Sequence, residues 1–406
     1  MDMTAYRPVT ADHRPQFEEV LQHAFAIEQG PASDSPGGET DWLPALSRPR
    51  GVFDGDRLVS VCKLYFLDAF LHDEFVQVGG IGGVATPPQH RRNGHIRTLA
   101  TSALEEYREA GVSLVALWPF DTGFYHHLGW GVANKYTTYE IPPEQLAFGR
   151  GADGAVRRLS PDDWERLRPV EVADGEGTHL SLRRSETWWR ERTLGEWPGD
   201  TAPYIYGYER DGELQGYVLY TVSSGDDGRE LDVRKLAHID TEAYHALLGF
   251  LSDHDSQVES ITLRRAAETE LLDLVENPGR VGCTVNSGPM VRLTDVRAGL
   301  EQYPWPDGFE QQFTLGVTDP LLDRNDGLFD VTVAAGESTV EPLDKAARRS
   351  PADVTTNVAT LSQLYLGAYT LSEAEQFGEL TVDSAPLRRA LADGFTGYPV
   401  CLREFF

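Results

Sequence analysis

Residues 79–97 of the chain read GGIGGVATPPQHRRNGHIR, and this stretch decides how the fold is interpreted. Its composition predicts a strand, a basic turn and the beginning of a helix, since Leu99, Ala103 and Tyr107 follow at nearly helical spacing. The first N–H groups of a helix have no partner inside the helix, so the turn at 91–94 should present unpaired donors. Because helix N-termini and arginines both favour negative charge, we expect a phosphate or pyrophosphate to bind here.

An alternative is that this turn is only a basic helix cap on the surface. A dinucleotide-binding fingerprint does not fit, because the glycines at 79–83 precede the expected strand 84–86, whereas that fingerprint follows a strand and opens a helix.

The composition limits the partners of the chain. It has 406 residues and a formal net charge of −28, with 64 acidic residues against 36 basic ones, of which four are lysines. A strongly solvated acidic surface keeps a protein soluble at high salt, so this composition predicts a halophilic protein. It disfavours nucleic acid and anionic membranes as partners. The length exceeds what one hydrophobic core supports, so we expect two or three domains.

The cysteines and the apolar runs indicate the compartment. Cys62, Cys283 and Cys401 are scattered and form no C-x-x-C pair, which argues against a disulfide framework and a cysteine zinc site. We find no apolar signal core at the beginning and no apolar run long enough to span a bilayer. We therefore expect a cytoplasmic protein.

Hydrophobic patterns predict elements along the whole chain. In the first part they are a strand and a helix within 4–30, a loop at 31–40, strands at 52–53, 57–66 and 74–78, a helix at 98–110, a strand at 112–118 and an aromatic segment at 119–131. Further on they are a helix at 159–169, a hairpin of 204–208 and 216–222, a helix at 241–253, strands at 313–317, 328–333 and 338–340, and a helix at 353–367. Asp54-Gly55 and Asp211-Gly212 are the expected hairpin turns.

The order of a strand, an Arg-Arg-x-Gly turn, a helix, a buried strand and the segment FYHHLGWG (124–131) resembles the GCN5-related N-acetyltransferases (GNAT), and among them the Eis-like acetyltransferases. Residues 309–406 resemble the sterol-carrier-like domain of the same family, most clearly in FTLGVTDPLLDRNDGLF (313–329) and LSQLYLGAYTLSEAEQFGEL (361–380). The resemblance implies a mixed α+β and α/β fold with two tandem GNAT-like domains and an SCP2-like domain. We place them at 1–148, 149–298 and 299–406, the second without a cofactor site.

The resemblance implies acetyl-CoA as the cosubstrate, while the spacing of the histidines argues against a metal. The residues expected to bind acetyl-CoA are Val84, Ala85 and Thr86 at the pantetheine, Arg92, Asn93, Gly94, His95, Ile96 and Arg97 at the phosphates, and Phe120 and Asp121 further along. Ile96 departs from the general signature, which has a small residue at this position. Four histidines nearby lack the spacing of known zinc motifs, namely His90, His95, His126 and His127.

Two residues are candidates for proton transfer. Acetyl transfer to an amine expels the CoA thiolate, and a tyrosine hydroxyl near the sulfur can supply the proton, a role that the resemblance assigns to Tyr125. The resemblance also implies that the terminal carboxylate of Phe406 reaches the N-terminal domain and takes the proton of the amine. The alternatives are that Tyr125 only packs in an aromatic turn and that the apolar tail only closes the third domain. Glu28 is a weak candidate to face a cationic substrate.

The sequence therefore predicts an acetyl-CoA-dependent N-acetyltransferase. Its acceptor would be a primary amine of an aminoglycoside, a polyamine or a lysine side chain, acetylated by direct transfer in a ternary complex. The resemblance implies a hexamer. The alternative is a non-catalytic acetyl-CoA sensor or a lipid-binding protein that uses the sterol-carrier-like domain.

Overall fold

The computed structural model of the chain describes residues 4–30, 46–195, 201–225, 228–267, 270–343 and 352–406. The loop predicted at 31–40 lies outside these residues. The strands are β1 (Ala5–Pro8), β2 (Arg48–Asp54), β3 (Arg57–Leu71), β4 (Glu74–Ala85), β5 (Leu114–Leu117), β6 (Gly131–Val132), β7 (Lys135–Ile141), β8 (Ala155–Arg158), β9 (Tyr204–Arg210), β10 (Glu213–Gly225), β11 (Gly228–His238), β12 (Ser260–Ala266), β13 (Gly282–Ser287), β14 (Met290–Leu293), β15 (Gln311–Thr318), β16 (Gly327–Ala334), β17 (Glu337–Leu343), β18 (Val354–Asn357) and β19 (Leu380–Val382). The helices are α1 (Arg14–Phe25), α2 (His95–Glu109), α3 (Thr122–His126), α4 (Trp164–Asp174), α5 (Glu186–Trp188), α6 (Thr241–Ser252), α7 (Leu271–Leu274), α8 (Val296–Gln302), α9 (Val358–Leu366), α10 (Leu371–Phe377) and α11 (Ala385–Gly394).

The chain divides into two compact units, one of residues 1–133 with 289–406 and one of residues 134–288. The first unit contains a seven-stranded sheet in the order β1-β2-β3-β4-β5-β14-β6 and a five-stranded sheet in the order β17-β16-β15-β18-β19. The second unit contains a seven-stranded sheet in the order β13-β7-β12-β11-β10-β9-β8. The three sheets and their helices form the mixed α+β and α/β architecture that the sequence predicts.

The pairing of two strands does not match the domain boundaries predicted from the sequence. The predicted boundary at 148/149 leaves β7 with the first domain, but β7 pairs with β12 and β13 in the sheet of the second unit. Likewise β14 lies before the boundary at 298/299, yet it pairs with β5 and β6 in the first sheet. The domain boundaries at 148/149 and 298/299 stay predictions. Strands β7 and β14 each pair with strands on the other side of one of these boundaries.

The structure contains both predicted hairpins, and each turn is formed by the predicted Asp-Gly pair. β2 and β3 join through Asp54-Gly55 in antiparallel register, and Gly55 has a φ of 60°. β9 and β10 join at Asp211 and Gly212, whose φ values are 55° and 84°. Both turns need left-handed backbone, which glycine and aspartate adopt at low cost.

Strand β4 differs from the expectation of two short strands around a glycine run. It is continuous and pairs with β3 from Leu71↔Glu74 to Val61↔Ala85, with a bulge between the Lys63↔Gly82 and Val61↔Ala85 pairs. Gly83, within the bulge, has a φ of 58°. A bulge with a left-handed glycine increases twist and bends the strand.

The helix predicted at 353–367 is also corrected. Its first part is the strand β18, which pairs in parallel with β15. The change to helix occurs at Asn357, whose side-chain oxygen accepts the N–H of Thr360 at 2.8 Å and so caps α9. Similarly, the helix expected at 159–169 forms as α4, which begins five residues later at Trp164.

None of the helices in the described part of the chain combines the length and the apolar character that a bilayer crossing requires.

Candidate active site

The basic turn lies at the start of α2, as the sequence predicts. Gly94 precedes the helix with a φ of 79°, and no side chain caps the helix at this position. A Cβ atom at Gly94 would meet no atom within 4 Å, so its conformation explains the glycine better than crowding does. Arg92 is also left-handed, with a φ of 62°, which is strained for a side chain of this kind. The N–H groups at the beginning of α2 are therefore presented without a competing side-chain acceptor.

The three arginines of this turn point in different directions. Arg91 donates through Nε to the Thr86 carbonyl at 3.1 Å, and Arg97 donates through Nη1 to the Pro320 carbonyl at 2.6 Å. Arg92 is exposed beside the helix start. All three arginines are exposed, but within the described residues only Arg92 makes no hydrogen bond or ion pair, so its guanidinium group is available to an anion, while Arg97 links the turn to the C-terminal domain.

The other predicted phosphate residues follow the same turn. Asn93 donates through Nδ2 to the His90 carbonyl at 3.3 Å, while His95 and Ile96 are half-buried in the first turn of α2. Burial lowers the pKa of His90, as do the charges of Arg57 and His95, so its imidazole is neutral at physiological pH. Within the described residues, no three His, Cys, Asp or Glu side chains lie close enough to hold a metal ion.

Strands β4 and β5 part beside this turn. Their parallel ladder extends from Gly79↔Val115 to Ile81↔Leu117, and β4 continues for four more residues to Ala85. Backbone groups of a strand that has lost its neighbour can bind an extended ligand as a further strand would. Val84 and Ala85 lie in this part of β4.

Thr86 follows directly after β4 and is tied to β3. Its hydroxyl lies 2.9 Å from that of Ser60, which also donates to the Ala85 carbonyl at 3.2 Å. These hydrogen bonds fix the end of β4, so the predicted pantetheine residues stand on a rigid strand.

Tyr125 lies in the short helix α3, which follows β5. Asp121 caps this helix, since its Oδ1 accepts the N–H of Phe124 at 2.6 Å. The Tyr125 ring is 3% exposed and lies 5.4 Å from the Phe120 ring, 5.3 Å from the Phe124 ring and 6.4 Å from the Trp130 ring. Burial, and to a smaller degree Cys62, raise the pKa of its hydroxyl well above the ordinary value. The phenol is therefore protonated and can donate at any physiological pH.

The C-terminal tail lies on the first sheet. Phe406 is 6% exposed, and its ring lies 5.3 Å from the Tyr65 ring. A Cβ atom at Gly82 would come within 2.5 Å of the Phe406 carbonyl oxygen and 2.7 Å of its carbon. The terminal carboxylate thus stands directly over Gly82, the first β4 residue beyond the ladder with β5.

Two further residues hold this arrangement, and sequence reasoning missed both. Trp118, just after β5, donates through Nε1 to the Glu404 carbonyl at 2.7 Å and so holds the tail. The Tyr107 hydroxyl donates to the Gly80 carbonyl at 2.6 Å and accepts the N–H of Tyr65 at 3.0 Å. The glycines of β4 could have indicated these contacts. Several glycines in one strand indicate that other groups pack closely against its backbone.

The close packing explains these glycines one by one. A Cβ atom at Gly79 would lie 2.7 Å from the Tyr107 ring, and one at Gly80 would lie 2.8 Å from the Phe406 ring. These positions require glycine because the Tyr107 and Phe406 rings pack directly on the backbone. Binding of a dinucleotide is not needed to explain them.

Glu28 stands apart from the other candidates. It is exposed in a 3-10 turn, Ile27–Gln29, that follows α1. Helix α1, which precedes this turn, approaches β4 at Leu21, whose Cδ2 would lie 3.4 Å from a Cβ at Gly83. A role for Glu28 in substrate binding stays a prediction.

Comparison with known proteins gives three domain matches. Residues 5–133 match an acetyltransferase (GNAT) domain, residues 180–293 match a second acetyltransferase (GNAT) domain and residues 296–401 match a sterol carrier protein domain.

Similar proteins extend over most of the chain. The N-acetyltransferase Eis of Mycobacterium tuberculosis is 26% identical over 370 residues, which are 86% of each chain. The crystal structure of Eis1 from Mycobacterium abscessus has a TM-score of 0.75 at 24% identity and covers 100% of both chains. A probable N-acyltransferase of unknown function from Enterococcus faecalis has a TM-score of 0.85 at 21% identity over 100% of both chains. The two crystal structures show that the fold is shared.

Proposed function

Because this chain belongs to the Eis-like GNAT N-acetyltransferases, with two GNAT domains and a sterol carrier protein domain, we propose that it transfers acetyl from acetyl-CoA directly to a primary amine. Acetyl-CoA supplies an acetyl thioester when it is bound. The fit of this cosubstrate is supported by two features of the first sheet: the uncapped N-terminus of α2 beside Arg92, and the free edge of β4 beyond Ile81. The first suits a pyrophosphate and the second suits an extended pantetheine arm.

One observation carries the proposal: the terminal carboxylate of Phe406 lies over Gly82, where β4 has parted from β5. Tyr125, in the helix that follows β5, packs in the same buried cluster as Ile81 of β4 and Leu117 of β5, where the two strands part. We therefore place the carboxylate and the protonated phenol where an acetyl group and an amine would meet. General acid and base groups need this kind of placement before their pKa values matter.

The two groups divide the proton transfers. A terminal carboxyl group has a reference pKa of about 3.5. In the proposed mechanism the Phe406 carboxylate is ionised and accepts a proton from the attacking amine. The Tyr125 hydroxyl can donate a proton to the leaving sulfur, since burial keeps the phenol protonated. Asp121 holds α3 in place through the N–H of Phe124, and Trp118 holds the tail through the Glu404 carbonyl.

The acceptor we propose is a cationic amine of the aminoglycoside, polyamine or lysine type. The net charge of −28 attracts cations, although salt screens this attraction. Exposed aromatic rings are present at the site: Phe120 is 67% exposed and Phe405 is 56% exposed. Such rings bind an ammonium group through their π faces. A halophilic protein and a hexameric assembly remain parts of this proposal.

The test is acetyl transfer from acetyl-CoA to a panel of amines at low and high salt, with free thiol as the readout. We compare the full chain with Tyr125→Phe and with a chain that lacks Phe406, after circular dichroism confirms folding of each. We expect both variants to lose kcat by about 10²-fold or more, because each removes a proton-transfer group. Full activity in both variants would contradict the mechanism. Binding of acetyl-CoA without turnover of any amine would instead favour a sensor.

A further inference from the structure

A buried ion pair lies behind the Tyr125 turn. Arg292 of β14 and Asp319, just after β15, both have fully buried side chains. The Arg292 Nη2 group donates to both oxygens of the Asp319 carboxylate, each at 2.5 Å. Separating a buried ion pair leaves an uncompensated charge in the protein interior, which is strongly destabilising. The two side chains are therefore held together in one arrangement.

The other end of Arg292 holds the turn that carries Tyr125. Its Nη1 group donates to the Leu128 carbonyl at 2.5 Å. The Tyr125 carbonyl in turn accepts the N–H groups of Leu128 and Trp130, at 2.9 and 3.1 Å. One guanidinium therefore fixes a tight turn only three residues after the proposed general acid.

Gly129 is shaped by the same contact. Its φ is 83°, and a Cβ atom there would overlap Arg292 Nη1 and lie 2.7 Å from Val358 Cγ1 of α9. The glycines of the FYHHLGWG segment thus allow Arg292 and α9 to approach the turn closely.

Asp319 is anchored within the C-terminal domain. Its Oδ1 accepts the N–H groups of Leu321 and Leu322 at 2.8 and 3.0 Å, and its Oδ2 accepts Asn325 Nδ2 at 2.9 Å. These bonds fill the remaining acceptor positions of the carboxylate. The position of Arg292 is consequently set by the loop between β15 and β16.

We propose that Arg292 is a positioning residue for acetyl transfer, through which the Asp319 loop of the C-terminal domain holds the Tyr125 turn in its reactive place. The inference rests on the proposed role of Tyr125 as proton donor. It gives the C-terminal domain a second contribution besides the tail: the tail supplies a carboxylate, and the Asp319 loop fixes the opposite group. Small displacements of a reacting group are sufficient to slow a reaction strongly.

A double-mutant cycle tests this inference on the full chain with acetyl-CoA and an accepted amine. We expect Arg292→Met to lower kcat by about 10²-fold while the KM for acetyl-CoA is unchanged. In the Tyr125→Phe background the same substitution should cause little further loss, because its effect passes through the phenol. An equal loss in both backgrounds, or an unchanged kcat, would overturn the proposal.

A second variant keeps the test decisive if Arg292→Met does not fold. Asp319→Asn retains an oxygen for the N–H groups of Leu321 and Leu322 and removes the charge that orients Arg292. We expect the same reduction of kcat at constant KM, again suppressed in the Tyr125→Phe background. An unchanged kcat would count against the inference as it would for Arg292→Met.

The matched control is Arg388→Met. Arg388 pairs with Glu375 in the same domain, at 2.8 and 3.0 Å, away from the turn. It should leave kcat at the level of the unchanged chain, and a loss as large as that of Arg292→Met would overturn the inference. If Tyr125→Phe itself keeps full activity, the proposed mechanism fails; if it is inactive while the Arg292 and Asp319 variants are fully active, only this inference fails.

Discussion

The first and second sheets contain the same parallel strand pair and crossover helix but differ at the beginning of that helix. In the first sheet α2 joins β4 to β5, and in the second α6 joins β11 to β12. Helix α2 begins after Gly94, which offers no side chain to its N–H groups. Helix α6 begins after Asp240, whose Oδ1 accepts the N–H of Ala243 at 2.8 Å. The second helix therefore already holds an anion of its own.

The charges around α6 strengthen this difference. Arg210 pairs with Asp240 and with Glu242, each at 2.6 Å. Burial alone would raise the pKa of Asp240, but the Ala243 N–H and the Arg210 guanidinium outweigh it and hold the pKa below its usual range. Two carboxylates at this helix start would repel a pyrophosphate.

The gap between the strands differs as well. Beyond the ladder of β4 and β5, the tail places the Phe406 carboxylate over Gly82. The ladder of β11 and β12 covers Glu230–Val233 on the first strand, and beyond it Arg265 donates through Nη1 to the Leu236 carbonyl at 3.4 Å. The two sheets thus share the strand pair and the crossover helix but differ at the helix start and beyond the ladder, and a shared fold does not by itself give both the same function.

The largest effect that tests this comparison is expected from Gly82→Ala, which puts a methyl group where the tail packs on β4. The added Cβ would lie 2.5 Å from the Phe406 carbonyl oxygen and must displace the carboxylate. We expect kcat to fall by about 10²-fold, measured by thiol release, because the base loses its position.

Gly316→Ala in β15 is the matched control. A Cβ there would meet its nearest atoms at 3.4 Å, an ordinary contact distance, so kcat should not change. Equal rates for the Gly82 variant and the unchanged chain would show that the tail is not the base.

A smaller effect is expected when the first helix start is made like the second. Gly94→Asp would introduce a carboxylate at α2, and aspartate tolerates the left-handed φ of 79° better than most residues. We expect the Kd for acetyl-CoA to increase about tenfold, since the new charge opposes the phosphates. Titration calorimetry would measure it.

Gly94→Asn has the same shape without the charge. Its Kd should stay close to that of the unchanged chain. A similar loss of affinity in both variants would mean that the backbone conformation matters and the charge does not.

The smallest effect is expected at the second helix, where Asp240→Ala removes the cap of α6. The free energy of unfolding should fall by about 1 kcal/mol in urea, while acetyl transfer is unchanged. Because the folded pKa of Asp240 lies below its usual value, its charge stabilises the fold above about pH 4 and this contribution is lost as the pH falls further. Asp240→Asn, which retains a capping oxygen, should lose less; an equal loss would contradict the capping account.

The sequence predicted well what local chemistry determines. The turns at Asp54-Gly55 and Asp211-Gly212 and the helix start after Gly94 each depend on residues next to them. The domain order followed from motifs that lie within single segments.

The features that the sequence did not predict depend on contacts between residues that are distant in the sequence. The glycines of β4 are explained by Phe406 and Tyr107, and β18 is a strand because β15 lies beside it. The pair of Arg292 and Asp319 joins two domains, so no spacing within either segment indicates it. Periodicity reports which face of a segment is apolar, but it does not report the partner.

The central claim is that the terminal carboxylate of Phe406 is the base, and a change of that one group tests it most directly. Cys401 allows the synthetic peptide CLREFF, residues 401–406, to be ligated with either a carboxylate or a carboxamide end to residues 1–400 that carry a C-terminal thioester. The Cys401 thiolate displaces the thiol of that thioester, and the acyl group then moves from sulfur to the Cys401 amine to form the peptide bond. The two chains differ only in charge and proton affinity at residue 406. We predict that the carboxamide chain binds acetyl-CoA with the same Kd but has a kcat lower by about 10²-fold or more. Equal kcat values for the two chains would contradict the account.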